Sequence, residues 1–307
     1  MPGKQHLHEH LAFGHIDDQG KISGKRIFWV VLLNAAITVA EFIGGLLSGS
    51  LALLSDAAHN LSDTAAIALS YFANRIARRP RDARKTFGYK RAEILAAFIN
   101  SAVLLVISLF LITEAIKRFR NPETIDGVLM ITVAVIGLLA NLLSVFLLHR
   151  DSRDNLNIRS SYLHLISDTV SSIGVIAGGI VINVWGVLWV DPLVTILISL
   201  YIINKAWAVI RKTVDILMQS AADLDYEEIK LGIEKIPGVK NIHHVHSWMS
   251  NENTIYFEAH IDMEDMRLCE AEKIYDQIGR YLKEKYGISH VTLQAEVDKC
   301  SNKAIFQ

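Results

Sequence analysis

Apolar residues fill the chain almost without a break from Ile27 to Ile210, and beyond Lys212 the pattern changes to short alternating and helical stretches. A bilayer core is crossed by about 20 predominantly apolar helical residues. Six runs meet that length: Arg26 to Leu47, Ser50 to Ala77, Ala92 to Phe119, Gly127 to Leu148, Ser160 to Val184 and Val187 to Ile210. Asn121-Pro122 and Asp191-Pro192 punctuate connections between them. The second run is the least uniform, because His59, Asn60, Asp63 and Thr64 interrupt it.

The tail has shorter periods. Tyr226 to Ile236 is helical in spacing and stops at Pro237-Gly238. Val239 to Trp248 reads as a strand, Asn251 to Asn253 as a turn, and Thr254 to Met263 as a strand with Ile255, Phe257, Ala259 and Ile261 on one face. Cys269 to Tyr286 puts Ile274, Ile278, Tyr281 and Leu282 on one helical stripe, with Gly287 as its stop signal. Val291 to Val297 alternates again. The order α-β-β-α-β predicts a ferredoxin-like α/β sandwich lacking one strand. The expected fold is therefore an α-helical membrane protein of six transmembrane helices with an α/β C-terminal domain. Its expected organisation is a polar tail over residues 1–25, a membrane domain over 26–212 and a soluble domain over 213–307.

Composition agrees with that division. Hydrophobic residues make up 51% of the chain and charged ones 21%, below the usual quarter for soluble proteins. The net charge of −1 gives no reason to expect a nucleic-acid partner. Cys269 and Cys300 form neither a CxxC pair nor a disulfide framework, which fits a reducing compartment. Met1 to Lys25 has no apolar core and so reads as a polar tail rather than a signal peptide. Its His6, His8, His10 and His15 leave metal capture open as the alternative.

Lys and Arg in short loops set orientation. Arg75, Arg78, Arg79, Arg81, Arg84, Lys85, Lys90 and Arg91 cluster between the second and third runs, while the first-to-second and fifth-to-sixth connections carry no basic residue. This bias predicts a cytosolic basic loop and, with six spans, two cytosolic termini. Lys117, Arg118 and Arg120 oppose it but are accompanied by Glu114, Glu123 and Asp126.

An ionisable group at the centre of a bilayer costs about 2.5–3.5 kcal/mol on insertion scales, so its presence points to function. His59 and Asp63 stand four residues apart in the second run, and His164 and Asp168 repeat that spacing in the fifth. Each pair occupies one face of a helix. A single pair is explained equally well by an internal hydrogen bond; two pairs in separate spans favour a shared metal. Two imidazoles and two carboxylates make a tetrahedral N₂O₂ set suited to Zn²⁺, whereas Mg²⁺ prefers more oxygens and Cu(I) prefers sulfur. For the pairs to meet, the fifth helix must extend back through Asn155 to Arg159. Glu41, Asn34, Asn100 and Asn141 read as hydrogen-bonded bridges between helices. Ser171 and Ser172 read as local hydrogen bonds, Gly174 and Gly178 as a close-packing step, and Asp56 as either a partner of the site or a packing group.

Six spans, the paired HxxxD motifs, the α/β tail, and the strings LLSDAAHNLSD, TFGYKRAEILAAFIN and HHVHSWMS resemble the cation diffusion facilitator family over about Gly24 to Val297. The resemblance implies a homodimer in the membrane, with the prokaryotic plasma membrane expected from the short loops. It implies export of Zn²⁺, with Cd²⁺ or Co²⁺ tolerated, in exchange for H⁺. Relatives carry a second site in the loop after the second span; here Asp82 matches, but Lys85 and Tyr89 stand at the histidine positions, so that site is not expected. At the third family site, His243 and His260 match, and Glu296 stands in place of a ligand from the last strand. A solvated polar strand face is the alternative there. His244, His246, Glu272 and Cys300 are further candidate ligands. His290 is not, because six strand residues separate it from Glu296 by about 20 Å. His246 and Trp248 also admit a packing role. No HExxH motif and no open coordination position speak for a hydrolase, so no enzyme activity is expected; a membrane-anchored metal sensor is the rival reading.

Overall fold

The computed structural model describes residues 24–149, 156–298 and 304–305, and within these it leaves the side chains of 24–31, 147–149, 156–164 and 167 undescribed. His6, His8, His10, His15 and Cys300 therefore lie outside the described residues, as does the side chain of His164. The chain divides into two compact units, residues 1–79 with 95–211, and residues 80–94 with 212–307.

The first unit is helical: α1 (Gly24–Ser48), α2 (Leu51–Ala77), α3 (Arg91–Arg120), α4 (Gly127–His149), α5 (Leu156–Trp185) and α6 (Val190–Leu217). Helices α3 to α6 contain segments long and apolar enough to cross a membrane. In α2 the apolar run is broken by Asp56, His59 and Asp63. Phe110, Phe146, Val106, Leu47 and Leu142 are all well exposed. Large apolar side chains exposed along helices long enough to cross a bilayer mark a lipid-facing surface, and the chain is an integral membrane protein. The fifth helix begins at Leu156, ahead of its apolar run, so the expected extension is present from that residue, while Asn155 lies outside the described residues. The sixth runs on to Leu217, seven residues past the apolar stretch, because Thr213 and Ile216 stay buried on one side of it.

Helices α1, α2, α5 and α4 pack as a ring, each against the next. The α4–α5 contact is the most extensive of these. A Cβ on Gly179 would meet Ile131 at 2.7 Å, whereas Gly174 has nothing within 4 Å and Gly178 only ordinary contacts. The close-packing step thus lies at Gly179, not at Gly174. Its place could not be read from spacing, since which glycine faces α4 depends on helix rotation.

Buried carboxylates and amides join the helices. Asp191, at the start of α6, accepts hydrogen bonds from the Ser50 hydroxyl and from the backbone N–H groups of Leu51 (2.9 Å) and Ala52 (3.2 Å). It caps the first turn of α2, whose own N-cap Ser50 accepts from Leu53 N–H. These donors have no partner within the helix, so a carboxylate there is favoured by both hydrogen bonding and the helix dipole. Glu41 on α1 accepts from Asn60 Nδ2 at 2.7 Å, and Asn100 on α3 donates to Ser62 at 3.0 Å. The side chain of Asn141 makes no hydrogen bond among the described residues, so the expected bridge is not found there.

The second unit contains α7 (Tyr226–Ile233), β1 (Val239–Asn251), β2 (Thr254–Met263), α8 (Leu268–Tyr286) and β3 (Ile288–Glu296). The sheet order is β1-β2-β3, with β1 antiparallel and β3 parallel to β2. Parallel neighbours need a crossover connection, and α8 supplies it. Gly287 ends α8 at φ 68°, a left-handed cap that a side chain would strain. Ile229 and Ile233 of α7 and Ile274, Ile278 and Leu282 of α8 bury against Ile242, Val245, Phe257, Ala259 and Ile261 on one face of the sheet. The other face carries the histidines.

Candidate metal sites

Among the described residues, two clusters of metal-ligating side chains emerge, one in each unit. The first joins α2 and α5. Moving along α2 from Asp56 to His59 advances three residues, and the contacts on α5 move back three, from Ser171 to Asp168, so the two helices run antiparallel. The Ser171 hydroxyl donates to Asp56 Oδ1 at 2.6 Å and that of Ser172 to Oδ2 at 3.3 Å. Ser172 also bonds to the carbonyl of Asp168. These serines therefore act across the helix interface, beyond the local role expected, and Asp56 clamps α2 to α5 one turn from His59.

With the helices fixed, His59 Nε2 lies 3.4 Å from Asp168 Oδ1 and 3.6 Å from Asp63 Oδ2. Two ligands bonded to a tetrahedral Zn²⁺ at about 2.05 Å stand about 3.3 Å apart. Both carboxylates thus stand from His59 at close to the spacing a single ion imposes, and the three ligand atoms lie within 4.8 Å of one another. Asp168 is 2% exposed, His59 13% and Asp63 24%, so the site opens on the Asp63 side. His164 lies one turn before Asp168 on α5, and its side chain is outside the described residues.

The second cluster is built by the sheet. His243 on β1 stands directly opposite His260 on β2, and Asp262 opposite Glu296 on β3. His243 Nε2 lies 3.4 Å from Glu296 Oε2, and His260 Nδ1 lies 3.2 Å from Glu296 Oε1. Gln294 donates to Glu296 Oε1 at 2.9 Å and helps fix the carboxylate. His243 and Glu296 are almost fully buried and His260 is partly open. Glu272 is exposed on α8, which covers the opposite, apolar face of the sheet, and so it takes no part. His290 packs against Tyr256 instead, with ring centroids 5.4 Å apart, and Trp248 stacks on the same Tyr256.

In the loop after α2, Asp82 is engaged by its neighbours. Tyr89 donates its hydroxyl to Oδ2 at 2.6 Å, and the backbone N–H groups of Arg84 and Lys85 donate to Oδ1 at 2.8 Å. The Tyr89 hydroxyl, followed by those two amides, holds the Asp82 carboxyl below the usual carboxylate range. The same loop packs Phe87 against Tyr256, and Lys90 donates to Thr254 at 3.0 Å.

Asp56 takes the packing role that was one of its two expected readings, whereas the remote cap by Asp191 was not anticipated. The Asp-x-x-His spacing and the two serines signalled a polar α2–α5 seam, while nothing in Asp191-Pro192 identified a cap for another helix.

A lipid-facing helical domain with a His/Asp cluster between two of its helices, joined to an α/β domain with a His/Glu cluster, defines a membrane protein built to handle metal ions. The chain belongs to the cation diffusion facilitator family: residues 27–218 match the cation efflux transmembrane domain and residues 221–298 the cytoplasmic domain of cation efflux proteins. It is 39% identical over 298 residues to the zinc transporter ZitB of Escherichia coli (strain K12), an alignment covering 96% of this chain and 93% of that one. It is 35% identical over 291 residues to the metal cation efflux system protein CzcD of Cupriavidus metallidurans, covering 94% and 92%. A cadmium, cobalt and zinc/H(+)-K(+) antiporter of Bacillus subtilis (strain 168) is 38% identical over 290 residues, covering 93% and 92%.

Proposed function

We propose that this protein exports Zn²⁺ from the cytosol in exchange for protons, through a tetrahedral site of His59, Asp63, His164 and Asp168. The observation that carries the reading is His59 Nε2 lying 3.4 and 3.6 Å from carboxylates on two helices. The names of the relatives support divalent metal efflux, with Cd²⁺ and Co²⁺ as further cargo.

The ligand chemistry supports proton exchange. A ligating imidazole must be neutral, so metal entry releases protons and proton entry releases metal. Imidazole titrates near pH 6.5 when unperturbed, which suits this switch to physiological pH. His59 and His164 carry the protons, while Asp63 and Asp168 neutralise the ion. Four protein ligands leave no open position for a substrate, which fits a carrier rather than an enzyme.

Six spans, both termini in the cytosol and a plasma-membrane location complete the reading. Of the three basic residues that oppose this orientation, two are engaged locally: Arg118 bonds to the Gly49 carbonyl and pairs with Glu123 at 3.0 Å, and Lys117 pairs with Glu114 at 3.0 Å. The α-β-β-α-β order supports a ferredoxin-like cytosolic domain, through which the protein forms a homodimer. His243, His260 and Glu296 hold a resident Zn²⁺ there. Simultaneous recording of Zn²⁺ and H⁺ movement in proteoliposomes tests the exchange: opposed, mutually dependent fluxes are expected, and Zn²⁺ movement without proton countermovement would refute it.

A further inference from the structure

Beside the buried trio of the C-terminal domain, β1 carries two more histidines, His244 and His246. The strand is irregular at this point. From His243 to His246 it advances three residues while β2 advances two, from His260 to Glu258. The extra residue sits at a bulge where His244 adopts φ 51°. A bulge of this kind re-aims the side chains around it. Ile242 and Val245, an odd number of residues apart, both enter the core as a result. His243 and His246 are left opposite His260 and Glu258.

His244 and His246 converge across the bulge. Their rings are perpendicular with centroids 4.8 Å apart, and their Nε2 atoms are 3.3 Å apart. Two nitrogens bound to one tetrahedral Zn²⁺ at about 2.05 Å are separated by about 3.3 Å. The pair therefore has the bite of a chelate. Glu258 is exposed and stands directly across the ladder from His246. Directly opposed residues have Cβ atoms about 5 Å apart, so a rotamer change brings its carboxylate to the pair. On the other side, the His244 ring lies 4.5 Å from that of His260, at the solvent edge of the buried trio.

We propose that His244 and His246, with Glu258 as third ligand, form a second metal site on the surface of the C-terminal domain for a divalent d-block ion such as Zn²⁺. Two imidazoles, one carboxylate and a water complete four-coordination while leaving a labile position. The His244 ring places this site beside the His243–His260–Glu296 trio without sharing a ligand with it.

The alternative for two rings at this distance is an Nε2–H···Nε2 hydrogen bond between neutral imidazoles. Diethylpyrocarbonate labelling of the full-length protein in detergent, read at each histidine by tandem mass spectrometry, separates the two. Rising Zn²⁺ is expected to protect His246 several-fold in the wild type and also in His260→Gln, which breaks the buried trio but leaves all three surface ligands in place. Protection is expected to shift to higher Zn²⁺ in Glu258→Gln and to vanish in His244→Asn, a replacement that tolerates the left-handed backbone. Labelling of His246 that ignores Zn²⁺ in the wild type would overturn the proposal. Protection that is lost in a folded His260→Gln variant would overturn it too, because the pair would then only report the buried site.

Discussion

Asp168 on α5 meets His59 on α2 with Oδ1 3.4 Å from Nε2, although 109 residues of chain separate them. The contact depends on the antiparallel register of the two helices, which Asp56 sets by accepting from Ser171 and Ser172. Ser171→Ala removes the shorter of those hydrogen bonds. It is expected to weaken Zn²⁺ binding at the proposed transport site while His59, Asp63 and Asp168 stay intact. Calorimetric titration against Ser171→Thr, which retains the hydroxyl, checks this; equal weakening in both would point to a packing effect instead.

Asp191 satisfies two backbone donors of α2 and the Ser50 hydroxyl. Asp191→Ala leaves these groups buried without their acceptor, at a cost of roughly 1–3 kcal/mol for each donor left unpaired. A lowered unfolding temperature in detergent is expected. Asp191→Asn keeps one acceptor oxygen and should fall between the variant and the wild type.

Gly179 and Gly174 lie on the same helix but face different surroundings. Gly179→Leu is expected to separate α4 from α5, because even a Cβ meets Ile131 at 2.7 Å. Gly174→Ala has open space and should be neutral or stabilising, by up to about 1 kcal/mol from helix propensity. Thermal unfolding of the two variants compared with the wild type decides whether the close approach lies where the structure puts it.

Hydrogen bonds to the ionised carboxylate of Asp82 lower its pKa. The folded loop is therefore fully stabilised by it above the ordinary carboxylate value of about 3.9, and this stabilisation is lost as pH falls through the lowered value. Tyr89→Phe should move that loss to higher pH. Hydrogen exchange at Arg84 and Lys85, corrected for the intrinsic rate, follows it.

Glu296 touches both His243 and His260 in the buried trio. Glu296→Gln removes a ligand of the Zn²⁺ site proposed there; since loss of a merely supporting partner already costs about tenfold or more, at least that weakening is expected, with binding at the proposed transport site unchanged. Metal content after equilibrium dialysis provides the measurement.

Much of this architecture is written in local pattern. Apolar length gives the helices, alternation gives β2 and β3, and the repeated HxxxD spacing brings His59 and Asp63 to one helix face toward Asp168. Gly287 marks the end of α8 because only its backbone favours the left-handed cap. What escaped the sequence depends on distant partners. The bulge at His244 is defined by its register with β2, the Asp191 cap by a helix 140 residues earlier, and the role of Gly179 by the rotation of α5 against α4. The run of α6 to Leu217 follows from burial of Thr213 and Ile216, which outweighs the charges of Arg211 and Lys212.

The central claim is that one ion crosses the membrane through the ligands of α2 and α5, and Zn²⁺ uptake into proteoliposomes under an imposed pH gradient tests it most directly. Wild-type protein is expected to drive uptake that Asp168→Ala abolishes, with that variant still folded and membrane-inserted. Equal uptake by the wild type and Asp168→Ala would contradict the account.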